Sequence, residues 1–231
     1  MAEPPPSERP PFLEMDDRHR GRLRVGSGET VVLLGPSGAG KTALIRSLLG
    51  LDRTRPPARL RLQGRPTAPT EVAGHVAWVP EGDGVFLSDT VWDNVARPAG
   101  ATVTVTDPAA ARDAVDLMGL AGRAHQPVSA LSPRERRRVA LARALATRRP
   151  LLLIDGELDS AVWGVLPSLL GQAPWVKATV LATATASERA WACDSVALVS
   201  NGQIVAQGPL AALIDSRDPD VRGVLVWVVP S

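Results

Sequence analysis

Hydrophobic positions in this chain form short apolar runs that alternate with amphipathic stretches. Residues 30–34 are almost wholly apolar and are bounded by glycines, which predicts a strand buried on both faces. Residues 42–49 then place their leucines and isoleucine on one helical stripe that stops at Gly50, a residue type favoured just after helices. The pattern therefore predicts a strand, a tight loop and a helix in succession.

The rest of the chain continues this alternation. Further strands are predicted at 60–63, 72–80, 151–154, 179–182 and 195–199. Asn201 and Gly202 form the signal for a tight hairpin into a strand at 203–206. Helices are predicted at 108–117, with Asp107 as N-cap, and from Ser132 through Arg148, where Ser132 and Glu135 match a capping box. Strands alternating with helices indicate an α/β fold.

The loop between the first of these strands and its helix carries specific chemistry. Residues 35–42 are a full match to the phosphate-binding pattern G-x-x-x-x-G-K-[ST]. Glycines let the backbone wrap a polyphosphate, and the helix N-terminus adds N–H donors and its dipole. We expect the whole loop to bind the nucleotide: Gly35, Pro36, Ser37, Gly38, Ala39, Gly40, Lys41 and Thr42. Lys41 is expected to reach the β and γ phosphates, and the Thr42 hydroxyl to ligate Mg²⁺.

A carboxylate follows the fully apolar run 151–154. Asp155 stands where the carboxyl edge of a parallel sheet is expected. Together with the phosphate loop, this position predicts that Asp155 holds Mg²⁺ through water.

Composition and charge narrow the class of protein. With 45% apolar residues, 22% charged residues and a net charge of +2, the chain is typical of a globular domain and not of a nucleic-acid binder. The arginine run 136–138 is accordingly interpreted as an exposed helix face. A single cysteine excludes a disulfide scaffold, and no apolar run approaches the roughly 18 to 20 residues that cross a bilayer. We expect a cytoplasmic protein in which Lys41, one of only two lysines, has a function.

Several segments together resemble the ATP-binding-cassette (ABC) family. Residues 131–136, 139–145 and 151–155 are similar to the stretch from the family's signature loop, usually LSGGQ, to its Walker B strand. Residues 79–81 look like the end of the strand leading into the Q-loop, and 202–208 look like the family's late hairpin. The match extends over about residues 22–215, and on it the chain is identified as an ABC ATP-binding domain.

The resemblance implies a fold and an assembly. It implies an α/β P-loop NTPase core with a small α-helical subdomain at about 85–135. We assign 1–20 to a Pro-rich arm, 21–215 to the ATP-binding domain and 216–231 to a C-terminal tail. The implied ligands are ATP and Mg²⁺. The implied partners are a membrane permease and a second ABC ATP-binding subunit, identical or different, whose ATP is covered by the signature residue Ser132. The chain is then expected at the cytoplasmic face of the membrane, without nucleic acid.

Departures from the family pattern concern the hydrolytic residues. The family's general base, a glutamate directly after the Walker B aspartate, is replaced by Gly156. Glu157, one residue later, is a candidate substitute base. Glu81 replaces the customary glutamine of the Q-loop, and is both a candidate catalytic residue and a candidate Mg²⁺ ligand. Ala184 stands at the position of the usual switch histidine.

The signature loop and the adenine site also depart from the pattern. Pro133 and Arg134 occupy the usual glycine positions, so one N–H donor is lost and Arg134 is either solvated or offers its guanidinium to the γ-phosphate. Phe12 is a weak candidate for stacking on adenine.

Three functions stay open on these residues. The first is a transporter subunit that binds Mg-ATP and hydrolyses it poorly. The second is a competent homodimeric ATPase in which Glu157, Glu81 or Arg134 compensates. The third is an ATP-responsive regulatory or scaffolding protein. A small-molecule kinase is disfavoured, because the segment 131–145 has no role there.

Overall fold

The computed structural model describes residues 10–52, 57–82, 84–97, 107–158, 160–183 and 193–228. They divide into two compact units, one built from residues up to 74 and from 177 onward, the other from residues 75–176. No helix within the described ranges is long and apolar enough to span a membrane.

The elements follow in chain order. The strands are β1 (Leu13–Asp17), β2 (Gly21–Val25), β3 (Thr30–Leu34), β4 (Leu60–Leu62), β5 (Arg65–Thr67), β6 (Val76–Val79), β7 (Leu151–Ile154), β8 (Ala178–Thr183), β9 (Ser195–Ser200) and β10 (Gln203–Gly208). The α-helices are α1 (Lys41–Leu48), α2 (Pro69–Gly74), α3 (Val91–Ala96), α4 (Pro108–Leu117), α5 (Pro133–Ala146), α6 (Ser160–Gln172), α7 (Leu210–Ile214) and α8 (Pro219–Val228). Alternating strands and helices confirm the predicted α/β class.

The first unit contains two groups of strands. One is an antiparallel sheet in the order β2-β1-β4-β5. In the other, β3 pairs in parallel with both β8 and β9, and β10 runs antiparallel to β9. Residues 31–34 of β3 are fully buried, as expected for an apolar strand with neighbours on both sides. Asn201 and Gly202 both have positive φ, 50° and 75°, which confirms the predicted hairpin.

Three segments of the first unit differ from the sequence-based assignment. Residues 13–17 of the predicted Pro-rich arm form β1, because Leu13 and Met15 alternate into the core with no exposed surface. The strand predicted at 72–80 is shorter, since α2 occupies 69–74 and β6 begins at Val76. Residues 219–228 of the predicted tail form α8, which buries four apolar side chains.

The second unit contains β6, β7 and the helices α3 to α6. β6 and β7 pair in parallel, with Val76 opposite Leu151 and Val79 opposite Ile154. α5 begins with the predicted capping box: the Ser132 hydroxyl oxygen accepts from the Glu135 N–H at 3.3 Å, and the Glu135 carboxylate accepts from the Ser132 N–H at 2.9 Å. The boundaries 85–135 for a helical subdomain stay a prediction.

Candidate nucleotide-binding site

The phosphate loop follows β3 and leads directly into α1. Gly38 and Gly40 have φ values of +80° and +94°, in the left-handed region that glycine adopts without strain. The Ala39 N–H donates to the Pro36 carbonyl at 3.0 Å, and the Leu44 N–H donates to the Gly40 carbonyl at 3.0 Å, which begins the helix. The loop is therefore a tight turn whose following N–H groups stand at a helix N-terminus, where anions bind.

Two glycines of the loop are required by close tertiary contact. A Cβ added to Gly35 would lie 2.4 Å from the Val199 carbonyl oxygen, and one added to Gly40 would lie 2.7 Å from the Gly202 Cα. The Gly202 N–H also donates to the Ala39 carbonyl at 2.7 Å. The β9–β10 hairpin therefore supports the phosphate loop from behind and excludes side chains at both positions.

Lys41 folds its side chain back over the loop. Its Nζ donates to the Gly35 carbonyl at 2.6 Å and to the Pro36 carbonyl at 2.9 Å. An ammonium group held against a glycine-rich turn suits the binding of phosphate oxygens, and the adjacent Thr42 hydroxyl is the hard oxygen ligand that Mg²⁺ prefers. The residues predicted for this loop, 35–42, are thus brought together in a form that fits a polyphosphate.

Asp155 ends β7 in the second unit and is only 3% exposed. Its backbone N–H donates to the Val79 carbonyl at 2.8 Å, so the ladder between β7 and β6 continues past the end of the strand. A buried carboxylate at the carboxyl end of a parallel strand has the chemistry of a Mg²⁺ ligand.

Arg137 is a residue of this region that the sequence analysis placed wrongly, on an exposed face. It is 7% exposed, and its guanidinium donates to three carbonyls: Pro80 at 2.5 Å, Asp155, and Gly156 at 3.4 Å. The signal was present in the sequence, because residue 137 lies on the same helical stripe as the buried Leu141. One arginine therefore joins the chain ends that follow β6 and β7.

Gly156 and Glu81 lie against each other at these two chain ends. Gly156 has φ +87°, and a Cβ built on it would lie 3.2 Å from the Glu81 Cγ. Both Glu81 and Glu157 are exposed, and neither carboxylate forms an ion pair with another described residue. Of the two candidate catalytic residues, the structure thus brings Glu81 to the position where the family's glutamate would stand.

The signature loop is closed by its own carboxylate. The Ser132 hydroxyl donates to the Glu135 Oε2 at 2.7 Å. Hydrogen bonds from this hydroxyl and from the Ser132 N–H lower the pKa of Glu135, which stays ionised. Arg134 is exposed and Pro133 is the first residue of α5.

Two further candidates receive different outcomes. Phe12 is 5% exposed, so its ring has no free face for stacking on adenine and this weak candidate is wrong. The switch position, Ala184, lies outside the described residues.

Comparisons with known proteins agree with this site. A family model for ABC transporters matches residues 19–157. The L-cystine transport system ATP-binding protein TcyN of Escherichia coli K12 is 32% identical over 222 residues, covering 87% of this chain and 87% of that protein. The hemin import ATP-binding protein HmuV of Streptomyces coelicolor is 37% identical over 204 residues, covering 81% and 70%. The sulfate/thiosulfate import ATP-binding protein CysA 2 of Chromobacterium violaceum is 34% identical over 215 residues, and the chain spans 57% of its length.

Solved structures show the same fold. CbiO1 from Clostridium perfringens, described as part of the ABC transporter complex CbiONQ, superposes with a TM-score of 0.74 at 19% identity, covering 94% of this chain and 95% of that one. The phosphate loop, the α/β fold and these similarities place the chain in the ABC transporter family, as an ATP-binding domain with a P-loop NTPase fold.

Proposed function

We propose that this chain is the ATP-binding subunit of an import-type ABC transporter, in which ATP-driven closure of a pair of such subunits is coupled to a separate membrane permease. The observation that carries the proposal is the phosphate loop, with Lys41 folded over left-handed glycines that the β9–β10 hairpin supports. Import is supported by the printed names of the relatives, which are import or transport ATP-binding proteins.

Within this function, the chain's own residues bind and orient Mg-ATP. The loop N–H groups and Lys41 neutralise phosphate charge, and Thr42 and Asp155 are each proposed as Mg²⁺ ligands. Bound Mg²⁺ supplies a positive charge that stabilises negative charge building up on the phosphates. We propose that hydrolysis is slow, since Gly156 has no side chain and Glu135 places a negative charge in the signature loop.

A rigid apolar pair follows the Q-loop and suits a permease contact. Phe86 and Leu87 are 52% and 48% exposed. The side-chain amide of Asn94 holds the loop, accepting from the Phe86 N–H at 2.7 Å and donating to the Phe86 carbonyl at 2.9 Å. The guanidinium of Arg143 lies 5.7 Å from the Phe86 ring centre. In ABC domains, the permease's cytoplasmic helices dock near the Q-loop, so we propose this pair as part of the docking surface.

Titration of Mg-ATP into the purified protein tests the nucleotide site. Lys41→Ala removes charge-assisted contacts and is expected to weaken ATP binding by about 10- to 100-fold. The matched control is Lys177→Ala, which removes the chain's other lysine, an exposed one, and is expected to leave the affinity unchanged. Failure of the unmodified chain to bind ATP would refute the proposed function.

Permease coupling is tested by co-expression with the permease genes nearest to its own gene. The wild type is expected to purify with the permease in detergent, and the double variant Phe86→Ser, Leu87→Ser is expected to lose this association while still binding ATP. ATP binding without any association with the permease would instead favour the regulatory or scaffolding alternative.

A further inference from the structure

Two departures from the family pattern face each other across neighbouring strands. The family has glutamine where this chain has Glu81, and glutamate where it has Gly156. β6 and β7 are parallel with Val79 opposite Ile154, so two residues further along each chain Glu81 stands opposite Gly156. The carboxylate has in effect moved from the end of one strand to the end of its neighbour.

The space beside Gly156 is occupied by Glu81. A Cβ on Gly156 would lie 3.2 Å from the Cγ, 3.4 Å from the Cα and 3.5 Å from the Cβ of Glu81. Contacts below 3.4 Å require the neighbour to shift, and the φ of +87° at Gly156 disfavours any other residue. The Glu81 side chain therefore starts in the space that a side chain at position 156 would use.

The backbone that carries both positions is held by one buried group. The Arg137 guanidinium donates to the carbonyl that precedes Glu81, at Pro80, and to both Asp155 and Gly156. Groups that act on a reacting molecule need such fixed placement, because small displacements lower the rate strongly. The arrangement fixes the start of the Glu81 side chain while leaving its carboxylate exposed.

We propose that Glu81 is the general base for ATP hydrolysis by this chain, in place of the family's glutamate at position 156; the proposal rests on the proposed function. The Glu81 carboxylate accepts a proton from water as the water oxygen forms a bond to the γ-phosphorus. The bond from the γ-phosphorus to the bridging oxygen breaks, and its electron pair stays on the ADP oxygen. ADP and inorganic phosphate leave, and the proton passes from Glu81 to solvent.

The test compares glutamate-to-glutamine variants in single-turnover hydrolysis. Glu81→Gln installs the family's own residue and keeps an oxygen ligand for Mg²⁺, so it removes the base and little else. We expect hydrolysis to fall about 100-fold, the usual effect of removing a general base. Glu81→Asp, which keeps a carboxylate, is expected to retain part of the rate. The matched control Glu71→Gln, on an exposed residue of α2, is expected to match the wild type.

A second readout does not depend on hydrolysis. ATP affinity of Glu81→Gln is expected to stay within about threefold of the wild type, as for a group that acts only in the transition state. After incubation with Mg-ATP, chromatography of the bound nucleotide is expected to show uncleaved ATP. Light scattering is expected to show a dimer that outlasts that of the wild type.

Three outcomes overturn the base assignment: Glu81→Gln hydrolyses ATP within about threefold of the wild type, the loss falls on Glu157→Gln instead, or the wild type is no faster than Lys41→Ala. ATP binding is measured on the same samples. Intact binding with any of these outcomes refutes only the role of Glu81, whereas absence of binding by the wild type refutes the proposed function.

Discussion

Replacing Arg137 by methionine removes the group that joins the ends of β6 and β7. The guanidinium is buried and donates to carbonyls of Pro80, Asp155 and Gly156. Methionine has a similar reach and suits the helix, so the change isolates the loss of these hydrogen bonds. We expect Arg137→Met to destabilise the protein and to loosen the chain on which Glu81 stands.

The magnitude follows from the contacts. The bonds to Pro80 and Asp155 are short and charge-assisted, each contributing about 1.5–3 kcal/mol, while the 3.4 Å contact to Gly156 is weak. Removing a buried charge offsets part of this sum by relieving its desolvation, which leaves a net loss of about 3 kcal/mol. For a chain of this size, that corresponds to a melting temperature lower by about 6–12 °C.

Thermal unfolding followed by circular dichroism measures the effect. Arg138→Met, the neighbouring and partly exposed position of the same helix, is the matched control and is expected to change stability by no more than about 0.5 kcal/mol. If Arg137→Met melts within about 2 °C of the wild type, the guanidinium contributes little and the reasoning is refuted.

Three further predictions concern glycines and one carboxylate. Gly40→Ala and Gly38→Ala both place alanine at positive φ, but only at Gly40 does the new Cβ meet backbone, 2.7 Å from the Gly202 Cα, so Gly40→Ala should be at least about 2 kcal/mol less stable in thermal unfolding. Equal losses at the two positions would contradict this. Gly156→Glu, which restores the family's residue, should lower the melting temperature and leave ATP turnover low, since a non-glycine residue at φ +87° costs about 1–2 kcal/mol. A tenfold rise in turnover, measured by phosphate release, would be inconsistent with this view. Burial raises the pKa of Glu29, so its contribution to stability is present below about pH 4.3 and is lost as the pH rises through the raised pKa. Unfolding at pH 4 and pH 7 should therefore show Glu29→Gln gaining on the wild type at the higher pH, and an unchanged difference would count against it.

The sequence alone predicted features whose interactions are local. The phosphate loop and the capping box of α5 depend on residues within eight positions of one another, so their spacing is visible in the one-dimensional pattern. The α/β class followed from strands and helices whose apolar periodicity is likewise local. Strand β1 was missed because its alternation of Leu13 and Met15 is short and follows a Pro-rich stretch.

Tertiary structure decided what depends on residues far apart in the chain. No local pattern shows that Gly40 lies against Gly202, or that Glu81 fills the space beside Gly156. Arg137 has the same cause, since its partners lie 18 to 57 residues away and a charged residue in a basic run is expected to be solvated. The sequence by itself determined that the chain carries a phosphate-binding loop in an α/β fold. Only the packing of β6 against β7 brought Glu81 to the position of the missing glutamate, because parallel strands joined by long connections align residues that the sequence keeps apart.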